Sequence, residues 1–295
     1  LREGIRRKLA PGPRMVICGR PISMTGGHMG YFGSEADGEV AVRAEVRKLL
    51  KEGADYIKIV ASGGSTRTSD PNRASYTVAE LAAMADEAHR HGRLTAAHCT
   101  SAQSIQNCLD AGVDMIIHCI FTEPDGTYRF RPDLVERLVA AKAWVNPTLY
   151  VMKAGIERQR EAREREGRLT PELEAQFEAS RRALDVRVDA VRQMSEAGVL
   201  MTAGSDSPWG WYAPGEFVHE IHMLAQAGLS YSDAIVAGTA GAADSIGVGA
   251  VAGRLLPGRL ADVLVVRGDP TRDIADLWNV LDVYQAGRRI NRGVE

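Results

Sequence analysis

The sequence predicts an α/β chain, a (β/α)8 TIM-type barrel that is incomplete and is followed by part of a small β domain. Three observations predict it. Short apolar runs alternate with helical patterns along most of the chain, which argues for parallel strands joined by right-handed crossovers. Four of the runs lead into a chemically active side chain, in the order Lys58, His98, His118 and Asp206. In such barrels the catalytic groups gather where the strand ends meet the loops on one face. After about Gly247 the helical patterns stop, and short apolar runs between Gly-rich turns replace them.

The strands are expected at Arg14–Cys18, Asp55–Val60, Arg93–His98, Asp114–His118, Ala143–Pro147 and Val199–Ala203. Six strands are two short of a closed ring, and an open barrel leaves unpaired backbone at both edges. The chain is therefore expected to pair with something or to be the latter part of a longer protein. Between the strands, Val78, Leu81, Ala82, Ala85 and Ala88 recur at helical spacing within Thr77–His91. Thr77 with Glu80 three residues on forms a capping box, and Gly92 ends the helix. Thr170-Pro171 opens a long charged helix, with proline where its missing N–H costs nothing. Lys153–Arg168 is dense in Arg and Glu and reads as a solvated helix or a lid-side insertion. Gly253–Asp262 leads into the run Val263–Val266, and Val280–Tyr284 is followed by a turn at Gln285–Arg288. The expected division is a barrel over 1–247 and a segment of a small β domain over 248–295.

Composition narrows the function. With 295 residues, 45% hydrophobic and 25% charged, the chain reads as a soluble globular protein of enzyme size. A formal net charge of −2 offers no attraction for nucleic acid or an acidic membrane surface. No apolar stretch has the length of a membrane span and no signal-peptide pattern opens the chain, which starts at Leu1; the cytoplasmic location expected rests on the unpaired spacing of the cysteines. Cys18, Cys99, Cys108 and Cys119 lack Cys-x-x-Cys spacing and read as reduced thiols. Cys99 and Cys119 each follow a candidate histidine, so they should point to the opposite side of the strand, towards the helices.

Neutral imidazole and carboxylate suit a divalent metal such as zinc. A plain lysine does not, because its ammonium is protonated near neutral pH. Lysine that has reacted with carbon dioxide becomes a carbamate and binds metal as a carboxylate does. Lys58, His98, His118 and Asp206 thus point to a site for one or two metal ions. Asp206 stands where a general base is needed. Lys58 alone also fits a Schiff-base nucleophile in an aldolase-type barrel, and a non-catalytic, shortened binding subunit is a third reading. His28, in a Gly-rich loop, is a candidate substrate contact, as are Tyr150 and Arg67, whose guanidinium offers a fork for a carboxylate. Two motifs are set aside. His89-Arg90-His91 falls at a helix C-terminus, where cations favour the dipole. His219-Glu220-Ile221-His222 has its histidines three apart, not the four of a zinc-protease helix, and reads as a solvated or core face. Trp209 and Trp211 are expected to wall the pocket.

The run of motifs resembles the amidohydrolase superfamily, within it the imidazolonepropionase-like and Xaa-Pro dipeptidase-like group. Gly12-Pro13-Arg14 and Thr25-Gly26-Gly27-His28 are similar to the segment after that group's second barrel strand. Gly53–Ile59 with Ala61-Ser62-Gly63-Gly64 resembles its carbamylated-lysine strand. Ala97-His98, Ile117-His118-Cys119, Pro147-Thr148-Leu149 and Gly204-Ser205-Asp206 resemble its next four strand ends, and Leu256–Asp262 its return into a small β-sandwich. The resemblance implies that about strands three to eight are visible. It implies that Lys58, His98 and His118 hold one metal, and that Lys58 and Asp206 reach a second. That second ion is completed in the family by a His-x-His on the first strand. Leu1 falls in the helix after strand two, so the chain is expected to be a fragment with a partial metal site. The implied activity is hydrolysis of a C–N bond, in an amide, peptide-like or cyclic amide small molecule, by metal-activated hydroxide, with Asp206 moving the proton. A homo-oligomer is compatible with all of this.

Overall fold

The computed structural model describes residues 1–209 and 212–291. Its centre is a parallel sheet of five strands, β1 (Ile57–Val60), β2 (Thr95–His98), β3 (Met115–Ile117), β4 (Trp144–Asn146) and β5 (Leu200–Met201), in that spatial order. Neighbours in sequence are neighbours in space, as crossover connections of one hand require. The crossovers are α3 (Val78–Arg90), α4 (Ala102–Asp110), α5 (Pro132–Ala141), and a hairpin of α6 (Leu149–Arg165) with α7 (Pro171–Glu196). Before the sheet run α1 (Arg2–Arg6) and α2 (Glu39–Lys51); after it run α8 (Val218–Gln226), α9 (Tyr231–Ala237) and α10 (Ala240–Ser245).

Strand periodicity sorts the side chains. Ile57, Ile59, Ala97, Cys99, Ile116, Val145 and Met201 belong to the buried apolar core with helix residues such as Leu81, Met84, Ile105, Leu134 and Leu138. Their alternates Tyr56, Lys58, Ala96, His98, Ile117, Asn146 and Thr202 line cavities on the sheet's other side. Cys99 and Cys119 are buried as expected; Cys99 Sγ lies 3.7 Å from Cys108 Sγ, and Cys119 Sγ lies 3.9 Å from Met194 Sδ of α7.

The strand expected at Arg14–Cys18 is not one. The backbone of that segment is held through Ile17: Ile17 N–H donates to Asp55 Oδ2 at 2.9 Å and Ile17 C=O accepts from Asp55 N–H at 2.7 Å. Gly19, at φ +70, then turns the chain. The edge of β1 is taken instead by Ile22, whose N–H donates to Lys58 O and whose C=O accepts from Val60 N–H, both at 2.9 Å. At the far edge, Ala203 N–H donates at 2.9 Å to the carbonyl of Ala237, the last residue of α9, so a loop residue partly occupies one edge and a helix end the other.

Residues beyond α10 form an antiparallel sheet of β6 (Val263–Val266), β7 (Val280–Gln285) and β8 (Arg288–Arg289), with a 3-10 turn at Ile274–Trp278. The β7–β8 turn has positive φ at both Ala286 (48°) and Gly287 (78°), as a two-residue hairpin of this hand needs. Bidentate Arg254–Asp244 bonds of 2.9 and 2.6 Å and an Arg14–Asp262 ion pair tie this part to α10 and to the segment that precedes Ile22.

The capping box is present at α3, and it does more than end one helix. Thr77 Oγ1 accepts from Glu80 N–H at 3.3 Å, while Glu80 Oε2 accepts from Thr77 N–H at 2.9 Å. Its other oxygen accepts from Gly38 N–H, at the start of α2, at 2.8 Å. Thr77→Ala should therefore cost about 1 kcal/mol. Glu80→Ala should cost more than Thr77→Ala, because it takes the acceptor from one N–H at each of two helix starts, Thr77 and Gly38. Urea unfolding of both variants checks the order.

Candidate active site

The site grows from the strand ends. Lys58 on β1 and His98 at the end of β2 occupy the same side of the sheet by the period of two. His118 follows Ile117, which already faces that side, so simple alternation would turn His118 towards the helices. It does not, because His118 (φ 68°) and Cys119 (φ 52°) both adopt the left-handed region and re-aim the chain. Asp206 reaches the cavity from the segment after β5, also at positive φ (54°). Non-glycine residues in this region cost on the order of 1–3 kcal/mol each and gather at functional sites. Lys58, His98, His118 and Asp206 line one cavity of roughly 670 Å³, with His28, Thr100, Asn146, Thr148 and Trp209.

The rings are close. The centroids of His98 and His118 are 4.6 Å apart, and those of His28 and His98 are 4.8 Å apart. His98 Nε2 lies 3.1 Å from Gly63 O, His118 Nδ1 lies 2.7 Å from Thr148 Oγ1, and His28 Nδ1 lies 2.9 Å from Thr66 Oγ1. Gly64 makes room for His28: a Cβ there would meet its imidazole at 2.5 Å. Gly204 does the same for Asn146, whose Nδ2 would stand 2.1 Å from an added Cβ.

Burial sets the protonation of the site. It lowers His98 to about 3 and His118 well below the usual imidazole value, with the charge of Lys58 acting in the same direction on both. His28 is lowered too, by burial and then by Lys58. Burial also lowers the Lys58 amine, against the pull of Asp206. Asp206 is pushed up to about 6 by burial, which the charges of Lys58 and Arg187 oppose. Two neutral imidazoles, a lysine biased towards its neutral amine and a carboxyl of raised pKa thus share one cavity.

That donor set fits a metal ion only with the help of Lys58. Among the described residues no three His, Cys, Asp or Glu side chains form a metal-binding group. His98 and His118 supply two imidazoles side by side, and a third ligand has to come from the lysine that shares their cavity. A carbamate on Lys58 would be such a ligand, and a neutral amine is the form that reacts with carbon dioxide.

Two expected contacts lie elsewhere. Tyr150 is buried in the first turn of α6, its ring stacked on His219 at 4.2 Å and set against Tyr212 at 5.0 Å, and it does not line the cavity. Arg67 is exposed on a loop, away from the cavity lining. Trp209 does line it, and Trp211 lies outside the described residues. The His89-x-His91 pair sits at the opposite end of the sheet: His89 Nε2 is 2.8 Å from Asp114 Oδ2, just before β3. His91 Nε2 is 3.4 Å from Glu87 Oε1.

Three residues escaped the sequence reading. Asn146 lines the cavity, and its Oδ1 is buried without a hydrogen-bond partner. Its place at the end of the β4 run was the available signal. Glu220 is fully buried on α8, and its two oxygens accept from Leu149 N–H (2.9 Å) and Tyr150 N–H (2.7 Å). Arg187 of α7 donates from Nη2 to Pro147 O at 2.6 Å. Nothing local in the sequence marks Arg187 among the many arginines of its helix.

Comparison with known proteins identifies the family. The amidohydrolase family model matches residues 1–290, and the chain belongs to that family. It is 28% identical over 291 residues to the ochratoxinase of Aspergillus niger, an alignment covering 89% of this chain and 56% of that protein. The chain thus spans little more than half the length of this curated relative. The crystal structure of that ochratoxinase superposes with a TM-score of 0.78 at 25% identity, covering 97% of this chain and 68% of the other. A prolidase complexed with N-methylphosphonate-L-proline gives 0.81 at 25% identity, over 99% and 72%. A Xaa-Pro dipeptidase with bound methionine gives 0.82 at 24% identity, over 98% and 71%, a likeness of fold. No helix among the described residues is long and apolar enough to cross a membrane.

The raised Asp206 makes a sign-definite prediction. A carboxyl whose pKa is higher in the fold takes up a proton on folding, so its contribution is full at low pH and is lost as pH rises through the raised value. In the presence of chelator, the stability of the wild type relative to Asp206→Asn should fall as pH rises from about 4 through about 6. Urea unfolding at stepped pH measures it; a pH-independent difference would contradict the burial of this carboxyl.

Proposed function

We propose that this member of the amidohydrolase family is a metal-dependent hydrolase of C–N bonds in small amides, peptide-like or cyclic amide compounds. The observation that carries the reading is the meeting of Lys58, His98, His118 and Asp206 around one cavity at the ends of parallel strands. His98 and His118, both held neutral, would bind the metal ion through ring nitrogens, with a carbamylated Lys58 as the third ligand. When bound, a divalent ion such as zinc polarises the scissile carbonyl and activates water. Asp206 takes the proton from the attacking water on a carboxylate oxygen and passes it to the leaving nitrogen. His28, on the cavity wall beside His98, would hydrogen-bond the substrate.

The cavity volume suits a small-molecule ligand. The names of the relatives, an ochratoxinase and a prolidase, support amides of amino acids as the first compounds to try. The lowered Lys58 amine also supports the imine chemistry of a Schiff-base lyase, and borohydride trapping separates the two, since a carbamate forms no imine.

The test is metal content by mass spectrometry together with hydrolysis of a panel of N-acyl amino acids, dipeptides and cyclic amides. Lys58→Ala and His118→Ala should each lose the divalent ion, and Asp206→Asn should lose roughly 10²–10⁴-fold in kcat. Unchanged metal content in both ligand variants would sink the proposal.

A further inference from the structure

We infer that Glu220 and Arg187 form a clamp on the turn Pro147–Tyr150, and that through Thr148 this clamp sets which ring nitrogen of His118 carries the proton. The turn joins the end of β4 to α6, and Thr148, its helix-capping residue, sits at φ 49°. A β-branched residue in the left-handed region does not hold that shape unaided. Arg187 fixes the turn from one side through Pro147 O at 2.6 Å, and also reaches His118 O at 3.5 Å. Glu220 fixes it from the other side, one carboxylate oxygen on each of the first two N–H groups of α6.

These helix-start donors have no partner within their own helix, and an anion there is doubly favoured by hydrogen bonding and by the helix dipole. Burial pushes Glu220 up to about 7, while the two amides and Arg187 pull it back towards the carboxylate, the form in which both oxygens accept. The consequence lies at Thr148. Its hydroxyl caps no backbone N–H of α6 and stands 2.7 Å from His118 Nδ1. We assign the proton to Nδ1, donated to Thr148 Oγ1, which leaves the Nε2 lone pair available as a ligand. A hydrogen bond on the rear nitrogen of a ligating imidazole commonly fixes its tautomer in this way. Glu220 is thus a positioning residue, acting on His118 through the turn. Its importance for catalysis rests on the hydrolase reading above; the tautomer does not.

The experiment is ¹⁵N NMR of the histidine-labelled chain, free of metal and substrate. Wild type and Thr148→Ser should show His118 as the Nδ1–H tautomer, whereas Thr148→Val and Glu220→Gln should lose that signature. In Glu220→Gln one backbone N–H would face an amide NH2 in place of an oxygen. Retention of Nδ1–H in folded Thr148→Val, or Nε2–H in the wild type, overturns the inference; retention in folded Glu220→Gln overturns the part assigned to Glu220. Should Glu220→Gln fail to fold, hydrogen exchange of Leu149 and Tyr150 in the wild type decides that part. Slow exchange supports the clamp, and free exchange, as at an uncapped helix start, overturns it. Because the readout needs neither metal nor substrate, it holds or fails independently of the hydrolase reading.

Discussion

Burial of nitrogen bases at the ends of parallel strands is the constraint on which the rest of this site depends. An imidazole or amine removed from water loses its charged form first, since an unpaired ion in a low-dielectric interior is far costlier than a neutral base. His98 and His118 respond as that argument requires, and Lys58 shifts in the same direction. The three are mutually repulsive when charged, so crowding reinforces burial. A cluster of neutral bases is the state in which ring nitrogens bind metal and a lysine amine reacts with carbon dioxide. The same burial raises Asp206 and brings a carboxyl towards the range where general bases work.

Such a cluster is held together by strain and compensation. His118, Thr148 and Asp206 all occupy the left-handed region, one at each of three successive strand ends. The compensating bonds come from helices remote in the chain. Arg187 on α7, half-buried, and Glu220 on α8, fully buried, each bring a charged group to the backbone of the 147–150 turn. Removing one partner of a buried charged arrangement leaves the other uncompensated, which is why such networks tolerate little change. The α6–α7 hairpin looks, from its Arg- and Glu-rich outer face, like a solvated insertion. Its inner face carries the arginine that fixes the site.

Much of the fold was legible because its signals are local. The capping box Thr77–Glu80, the apolar runs of β1 to β5 and the proline opening α7 need only a few neighbouring residues to act. The cysteine behind His98 was placed by the two-residue strand period, whereas Cys119 reaches the helix side only because His118 and Cys119 both adopt positive φ. The strand expected at Arg14–Cys18 fails for an equally plain reason: a strand needs a partner along its length, and Asp55 bonds to one residue of that segment only. Tyr150 illustrates the opposite limit. It stands two residues from the cavity-lining Thr148, yet the helix begins at Leu149 and turns its ring to His219.

What the sequence by itself determined is the order of strands and helices and the identity of the reactive groups at the strand ends. Both follow from hydrophobic period and residue chemistry, which are properties of short windows. The tertiary structure alone decided how those groups are aimed and protonated. His118 faces the cavity because two consecutive residues adopt positive φ, against its strand alternation. Its protonation depends on how deeply it is buried and on charges carried by other elements. His219-Glu220-Ile221-His222 makes the same point. Read locally it is a mismatched zinc motif or a plain helix face, and only packing against the start of α6 shows that Glu220 binds two backbone amides. Long-range contacts, not composition, give a buried charge its partner.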